Sequence, residues 1–446
     1  MARPVQMTIC IASSNYYPPF GGIATFTHRL SALLANNGHT SIVLTVSHDL
    51  SSEEDKIETL GNGVILVMLK TSFLKYYTYY KQYFRRGGLD APYWIAMGMS
   101  MRDWLITNSS LYNIDMVDAS AYGGLAAFLE HPLLPPVVLS GHGAFFQYKQ
   151  YNQDRIDDHA LVVEELERIA FKKCEGIISH SPQSREDILN YTDRPVVMAR
   201  IPFLFEEKNS DRLRHEVENT PYALVVGALQ KMKGPEILCE SLSLLNNSTV
   251  KVIWAGSDNY NHETKQLMSD YLASKYPGVW NKKLIWKRSV PREELSALYA
   301  GACYIVIPTI WESFNVIPIE AAFYGKPVIL TNTTGSSFLF SNGEDALVIP
   351  AENSRELASA LEKLWRSPQL CTAMGKAAQL KISSLLNEQD IIGERIKIYR
   401  DLLNNVKKLS AEKDLLFLEK YITPPRKAYY KVREWVRKLT RSRKKN

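Results

Sequence analysis

Two glutamates stand eight residues apart in Pro308-Thr-Ile-Trp-Glu312-Ser-Phe-Asn-Val-Ile-Pro-Ile-Glu320-Ala-Ala-Phe-Tyr-Gly325-Lys-Pro-Val. The run before them, Tyr304–Ile307, is short and wholly apolar, the pattern of a buried strand. Pro318 suits the first turn of a helix. The segment therefore predicts a strand, a loop carrying Glu312, and a helix that starts near Pro318. The N–H groups near Ser313, Phe314, Asn315 and Val316 then lie at a helix N-terminus, a ready site for a diphosphate. Glu320, about a turn into the helix, can accept two hydrogen bonds from a ribose diol. Glu312, at the loop tip, can accept one from a sugar hydroxyl.

The elements that position these residues alternate along the chain. Met7–Ser13 reads as a buried strand, and SNYYPPFGG as a loop. Ile23, Phe26, Leu30, Leu33 and Leu34 recur at helical spacing, Gly38 stands where a helix terminates, and Ser41–Val46 is a second strand. This β-α-β unit favours a parallel sheet. Further apolar runs are Pro136–Ser140, Gly176–Ser179 and Val196–Ala199. After a polar stretch at 206–220 come six strand candidates: Tyr222–Val226, Val250–Ala255, Leu284–Trp286, Tyr304–Ile307, Pro327–Leu330 and Ala346–Ile349. The fold class expected is α/β, with two doubly wound Rossmann-like domains facing a central cleft where ligands of such sheets bind. The divisions expected are 1–200, a linker at 201–220, a second domain at 221–395, C-terminal helices at 396–423 that cross back to the first domain, and a tail at 424–446. Residues 72–104, dense in Tyr and basic groups, suit either a helix packing its rings into the core or a surface meeting a lipid headgroup or acceptor.

The Glu312–Glu320 segment resembles the Glu-x7-Glu motif of retaining glycosyltransferases of the GT-B fold, family four, and the resemblance extends over roughly 7–400. Gly21-Gly22 before a helix and Gly38-His39 resemble the N-terminal glycine loop and its following turn. Val138-Leu-Ser-Gly-His142-Gly is similar to the strand-ending histidine segment. Val225-Val-Gly227-Ala-Leu-Gln-Lys231-Met-Lys233-Gly234-Pro is similar to the donor-phosphate loop, and Ile253-Trp-Ala-Gly256 to a strand ending near the nucleotide. The resemblance implies a nucleoside diphosphate sugar donor, a UDP- or GDP-sugar, held by the second domain, with the acceptor on the first. Lys233 would then supply a fixed cation for charge growing on the departing phosphate oxygen. Gly21 and Gly22 would let the backbone approach the phosphates, and His142 would contact the donor sugar near the reacting centre through its ring or its carbonyl. Where the family usually has Arg after the phosphate-loop glycine, this chain has Ala228; Lys231, Arg200 or Arg288 are the candidate substitutes. Asn315 replaces a more frequent Gly, and Asp118 stands where His is frequent.

Composition bounds the rest. The 446 residues carry a net charge of +6; ten Lys/Arg and one Glu put +9 in 424–446, leaving −3 for the other 423 residues. Tyr429, Val432, Trp435, Val436 and Leu439 share one helical face of that tail, which resembles an interfacial helix for an anionic membrane surface. The near-neutral body argues against nucleic acid as main partner. No secretory leader or membrane span is expected, and five widely spaced cysteines read as reduced thiols. There is no Asp-x-Asp at a strand end, no Walker loop, no Gly-x-Gly-x-x-Gly opening a β-α-β unit and no His-Glu-x-x-His. The expectation is a metal-independent retaining hexosyltransferase without cofactor, in the cytoplasm at the inner face of the membrane. It would act on a glycan or lipid-linked acceptor in polysaccharide or envelope biosynthesis. A catalytically weakened, sugar-nucleotide-binding scaffold is the alternative that Ala228 raises.

Overall fold

The computed structural model describes residues 6–16, 21–47, 54–84, 90–152, 156–204, 220–245, 249–288 and 290–404. The basic tail and most of the polar stretch between the domains lie outside them.

The first domain runs β1 (Thr8–Ala12), α1 (Gly21–Asn36), β2 (Thr40–Val46), β3 (Lys56–Thr59), β4 (Ile65–Leu69), α2 (Thr71–Lys81), α3 (Ala91–Asn108), β5 (Met116–Ser120), β6 (Val137–Ser140), α4 (Phe145–Asn152), α5 (Asp158–Lys173), β7 (Gly176–Ser179), α6 (Pro182–Leu189) and β8 (Val196–Met198). These strands form one sheet in the order β3-β4-β2-β1-β5-β6-β7-β8, parallel except for the β3–β4 pair. The second domain runs β9 (Ala223–Val226), α7 (Pro235–Leu244), β10 (Val252–Ala255), a two-stranded hairpin of β11 (Tyr260–Asn261) and β12 (Gln266–Leu267), α8 (Met268–Lys275), β13 (Leu284–Lys287), α9 (Arg292–Gly301), β14 (Tyr304–Ile307), α10 (Ile317–Phe323), β15 (Val328–Thr331), β16 (Ala346–Ile349), α11 (Ser354–Trp365), α12 (Pro368–Leu385) and α13 (Glu388–Asn404). Its sheet is fully parallel, in the order β13-β10-β9-β14-β15-β16.

The strands that the apolar runs predict are the buried ones, because helices cover both faces of a parallel sheet. Of the strands that the sequence reading passes over, β4 is an apolar, mostly buried run that it leaves unnamed, while two others have physical reasons. β3 is an exposed antiparallel edge, and β5 carries a buried charge, Asp118, in its centre. Helix starts follow capping chemistry: Asp90 accepts from the Tyr93 N–H, Asp157 from Ala160 and Ser181 from Ser184.

The described residues of 72–104 fall mainly in α2 and α3, whose rings pack on the core of the first domain. Phe73, Tyr80 and Tyr83 are buried. The Tyr76 hydroxyl bonds Asp103, and that of Tyr77 bonds Asp90 at 2.7 Å. Tyr76, Tyr77, Tyr79 and Phe84 are half-buried against that core.

The last described helix ties the two domains together. In α13, Ile391, Ile392 and Ile396 join an apolar core that also contains Ile9 and Leu30 of the first domain and Leu224 and Ile305 of the second. Leu402 packs on Gly176. The Tyr399 hydroxyl donates to Asp118 Oδ2 at 2.5 Å, while Ser140 donates to Oδ1 at 2.7 Å. The Arg395 guanidinium, fully buried, lies 3.7 Å from the same carboxylate. Asp118 thus anchors the returning helix under the first sheet. Replacing Tyr399 by Phe strands one oxygen of a buried carboxylate, a loss of about 1–3 kcal/mol. Amide exchange across Glu388–Asn404 should accelerate accordingly in Tyr399→Phe; unchanged exchange would show that the bond contributes nothing to docking.

Candidate active site

Glu312 sits at the carboxyl end of β14, where the chain leaves the sheet, and is buried. Lys233 donates to its Oε1. Asn315 donates to Oε2, and so does Thr309 at 3.3 Å. Lys233 comes from the turn after β9, so the carboxylate joins the ends of two neighbouring strands. Burial pulls the Lys233 ammonium down to about 8. Gly227 lies over this lysine: its φ is +140°, and a Cβ there would stand 3.9 Å from the Lys233 Cε. Gly256 tolerates no side chain, because a Cβ would come within 1.9 Å of the Gly227 carbonyl oxygen. Gly256 is therefore a point of close backbone approach to Gly227, whose positive φ is what favours glycine there.

Helix α10 begins at Ile317 and is seven residues long. Asn315 Oδ1 accepts from the Ile317 N–H at 2.8 Å and closes its first turn. Among the described residues the N–H groups of Phe314 and Asn315 have no hydrogen-bond partner. Glu320 lies in the first turn of α10. Its Oε1 accepts from Arg29 Nη2 of α1 at 3.0 Å, and its Oε2 from the Tyr299 hydroxyl of α9 at 3.0 Å.

The first domain meets this loop along α4 and the end of β7. The Tyr148 hydroxyl donates to the His142 carbonyl at 2.6 Å, and the Ser313 hydroxyl donates to the same oxygen at 2.9 Å. Ser181 Oγ donates to the Ser313 carbonyl at 2.6 Å. Trp311 stacks on Tyr151, with ring centroids 5.2 Å apart, and meets Tyr148 edge-on. Asn152 accepts from the Met232 N–H at 3.2 Å. The His142 ring packs on Phe26 at 4.1 Å, and burial, helped by the nearby Arg395 charge, holds its imidazole down at about 3. It is neutral across the working pH range. The His142 carbonyl, expected as a group facing a sugar centre, has both lone pairs engaged by hydroxyls.

The structure thus brings His142, Ser313, Asn315, Glu312 and Lys233 into one cluster, with Gly227 and Gly256 beside it. Glu320 stands in a second cluster with Arg29 and Tyr299. Phe314 meets His180 edge-on at 6.1 Å, and Val316 is partly buried at the start of α10. Gly21 and Gly22 open α1 and are exposed; residues 17–20 before them are not described. Lys231 pairs with Glu263 at 2.9 Å, and Arg200 with Glu394 at 3.5 Å, so neither joins the Glu312 cluster as the missing cation; Arg288 is exposed just beyond β13. Among the described residues no three His, Cys, Asp or Glu side chains converge as metal ligands.

Residues 20–202 match the model of Glycosyltransferase Family 4, and residues 207–381 match that of Glycosyl transferases group 1. The chain belongs to glycosyltransferase family four. It is 24% identical over 408 residues to an uncharacterized glycosyltransferase of Methanocaldococcus jannaschii, covering 86% of this chain and 96% of that one. It is 30% identical over 161 residues to the D-inositol 3-phosphate glycosyltransferase of Corynebacterium jeikeium, a match spanning 34% of this chain and 37% of that one. The fold is that of sucrose-phosphate synthase from Thermosynechococcus elongatus, with a TM-score of 0.70 at 17% identity, over 90% of this chain and 100% of that one. The Anabaena HepE protein, solved with UDP and glucose, superposes with a TM-score of 0.61 at 15% identity, over 89% of this chain and 99% of that one. The architecture is GT-B.

Several residues that build this glycosyltransferase cleft are absent from the sequence expectations: Arg29, Glu167, Ser181, Tyr148, Tyr299 and Trp311. Glu167 is fully buried on α5 and accepts the N–H groups of Gly123 at 2.9 Å, Phe145 at 2.7 Å and Phe146 at 3.1 Å. It thereby fixes the start of α4, the helix that delivers Tyr148. Burial pushes its carboxyl up to about 8, against the three N–H bonds, which pull the other way. A carboxyl with its folded pKa raised stabilises the fold fully below its unfolded value. That contribution is lost as pH rises from 4.5 through about 8. Thermal stability of the wild type should therefore fall across this window, and Glu167→Gln should flatten that decline; an identical pH slope in both proteins would remove Glu167 as its source.

Proposed function

We propose that the chain is a retaining glycosyltransferase that moves a hexosyl group from a UDP- or GDP-sugar to a glycan or lipid-linked acceptor in polysaccharide or envelope biosynthesis. One observation carries the reading: Glu312, Lys233 and the unpartnered Phe314 and Asn315 N–H groups converge at the carboxyl ends of the second sheet, facing His142 of the first domain. The UDP and glucose in the solved HepE structure support a nucleotide-sugar donor here. In this reaction the bond from the sugar C1 to the phosphate oxygen breaks. A new bond from C1 to the acceptor oxygen forms on the same face, and the acceptor proton passes to the leaving phosphate oxygen. Negative charge grows on that oxygen, and Lys233 with the two N–H groups would stabilise it without a metal ion. Glu312 positions the lysine and accepts from a sugar hydroxyl. The neutral His142 ring orients the sugar rather than removing a proton. Residues 424–446 would hold the protein at an anionic membrane surface on the cytoplasmic side, as their charge and apolar face suggest. No described helix is long and apolar enough to cross a membrane.

The deciding experiment follows nucleotide release from UDP-, GDP- and ADP-sugars, with membrane lipid extract as acceptor source and Lys233→Ala alongside. Release with one donor, reduced about 10²–10³-fold in the variant, is expected. Binding without release would favour the non-catalytic scaffold that Ala228 raises, and no binding would overturn the nucleotide-sugar reading. The pH profile gives a second check. The Lys233 cation is present below about pH 8 and lost above it, so kcat/KM should fall on the alkaline side. In Lys233→Arg, which keeps its charge, that limb should disappear; a limb that stays in place belongs to another group.

A further inference from the structure

The Glu320 carboxylate is held by two residues from different domains. Arg29, two turns into α1 of the first domain, is almost fully buried. Its guanidinium lies 4.2 Å over the Phe203 ring and gives Nη2 to Glu320 Oε1. Its Nε and Nη1 have no partner among the described residues. On the other side, Tyr299 of the second domain gives its hydroxyl to Oε2 and stacks on Tyr324, with centroids 5.2 Å apart and planes 4° from parallel. Two rigid donors therefore fix the plane of the carboxylate. An ionised carboxylate offers about four acceptor directions. One on each oxygen is taken, which leaves one on each, 22% of the side chain being open to solvent. Two adjacent acceptors spaced as the oxygens of one carboxylate match the two hydroxyls of a cis-diol.

Resting on the nucleotide-sugar reading above, we propose that Arg29 and Tyr299 are positioning residues that aim Glu320 at the donor's ribose diol. The first domain, through Arg29, thereby takes part in reading the ribose on the second. Ribose recognition is then complete only when α1 is docked across the cleft, because the carboxylate plane has only Tyr299 to hold it otherwise. Removing either donor frees the carboxylate to rotate and blunts the distinction between a ribose and a deoxyribose. A purely structural role for Arg29 weakens all nucleotides alike and leaves that distinction intact.

The test is a ligand-by-mutation cycle on the full-length protein. It compares whichever of UDP or GDP binds with its 2′-deoxy and 3′-deoxy counterparts, in wild type, Arg29→Met and Tyr299→Phe. Hydrogen bonds to a charged acceptor give an expected wild-type penalty of about tenfold or more for each missing hydroxyl. In both variants the penalty should shrink below about threefold. Arg29→Met keeps an apolar body against Phe203. Tyr299→Phe keeps the stack on Tyr324 and serves if the first variant does not fold. Binding of the ribonucleotide with an unchanged deoxy penalty in a folded variant would overturn this inference and leave the proposed function standing. Binding of neither nucleotide would sink both.

Discussion

A buried carboxylate is tolerable only if its acceptor positions are filled. Glu312 imposes that demand at the centre of the molecule. Its donors come from three places: Lys233 after β9, Thr309 at the end of β14, and Asn315 in the loop leading to α10. Meeting the demand sets the distance between two strand ends and the path of the loop between Glu312 and α10. That path in turn points Ser313 at the other domain. The backbone N–H groups left over in the loop follow from the same geometry, since the side chains that could have capped them are committed to Glu312 and to the Ile317 N–H.

The seam between the domains is polar where it faces this loop and apolar behind it. Ser313 is the meeting point. It donates to the His142 carbonyl and accepts from Ser181, so one residue of the second domain bonds the ends of β6 and β7 of the first. Behind it, the continuous core through α1, β14, α10 and α13 makes the arrangement a packed interface rather than a chance encounter of two sheets. Apolar burial of this kind is non-directional, so it holds the domains together without setting their register. The directional bonds of Ser313, Ser181 and Arg29 set that register.

Much of this was legible from residue types and spacing. All six apolar runs of the second domain are strands, and the eight-residue spacing places Glu312 and Glu320 on a loop and in a first helical turn. The charged residues that were not legible share one cause. Arg29 lies three residues after Phe26, Glu167 four after Val163, and Arg395 between Ile391 and Tyr399 at four-residue intervals. Each is a charge on the apolar face of a helix. Such a residue breaks the periodicity that identifies the face, and an apolar pattern treats it as noise. It is a signal instead, because a charge on a buried face needs a partner that only the tertiary structure supplies. Tyr148, Tyr299 and Trp311 escape for a different reason: an aromatic at core spacing looks the same whether its hydroxyl or ring edge serves packing or a site.

Ala228, where the resemblance leads one to expect Arg, stands in the following arrangement of charges. Arg29 is committed to Glu320, Lys231 to Glu263, and Arg200 to Glu394. Arg395 is buried and held near Asp118. Among the described residues Lys233 is the cation that the Glu312 cluster holds. A site with one cation instead of two relies more heavily on fixed dipoles, which need no counter-ion and do not titrate. The Asn315 side chain, replacing a more frequent glycine, keeps the backbone N–H and adds a donor that holds Glu312 in place. The Asn315 amide, bonded to Glu312 through its nitrogen and to the Ile317 N–H through its oxygen, stiffens the loop whose N–H groups remain.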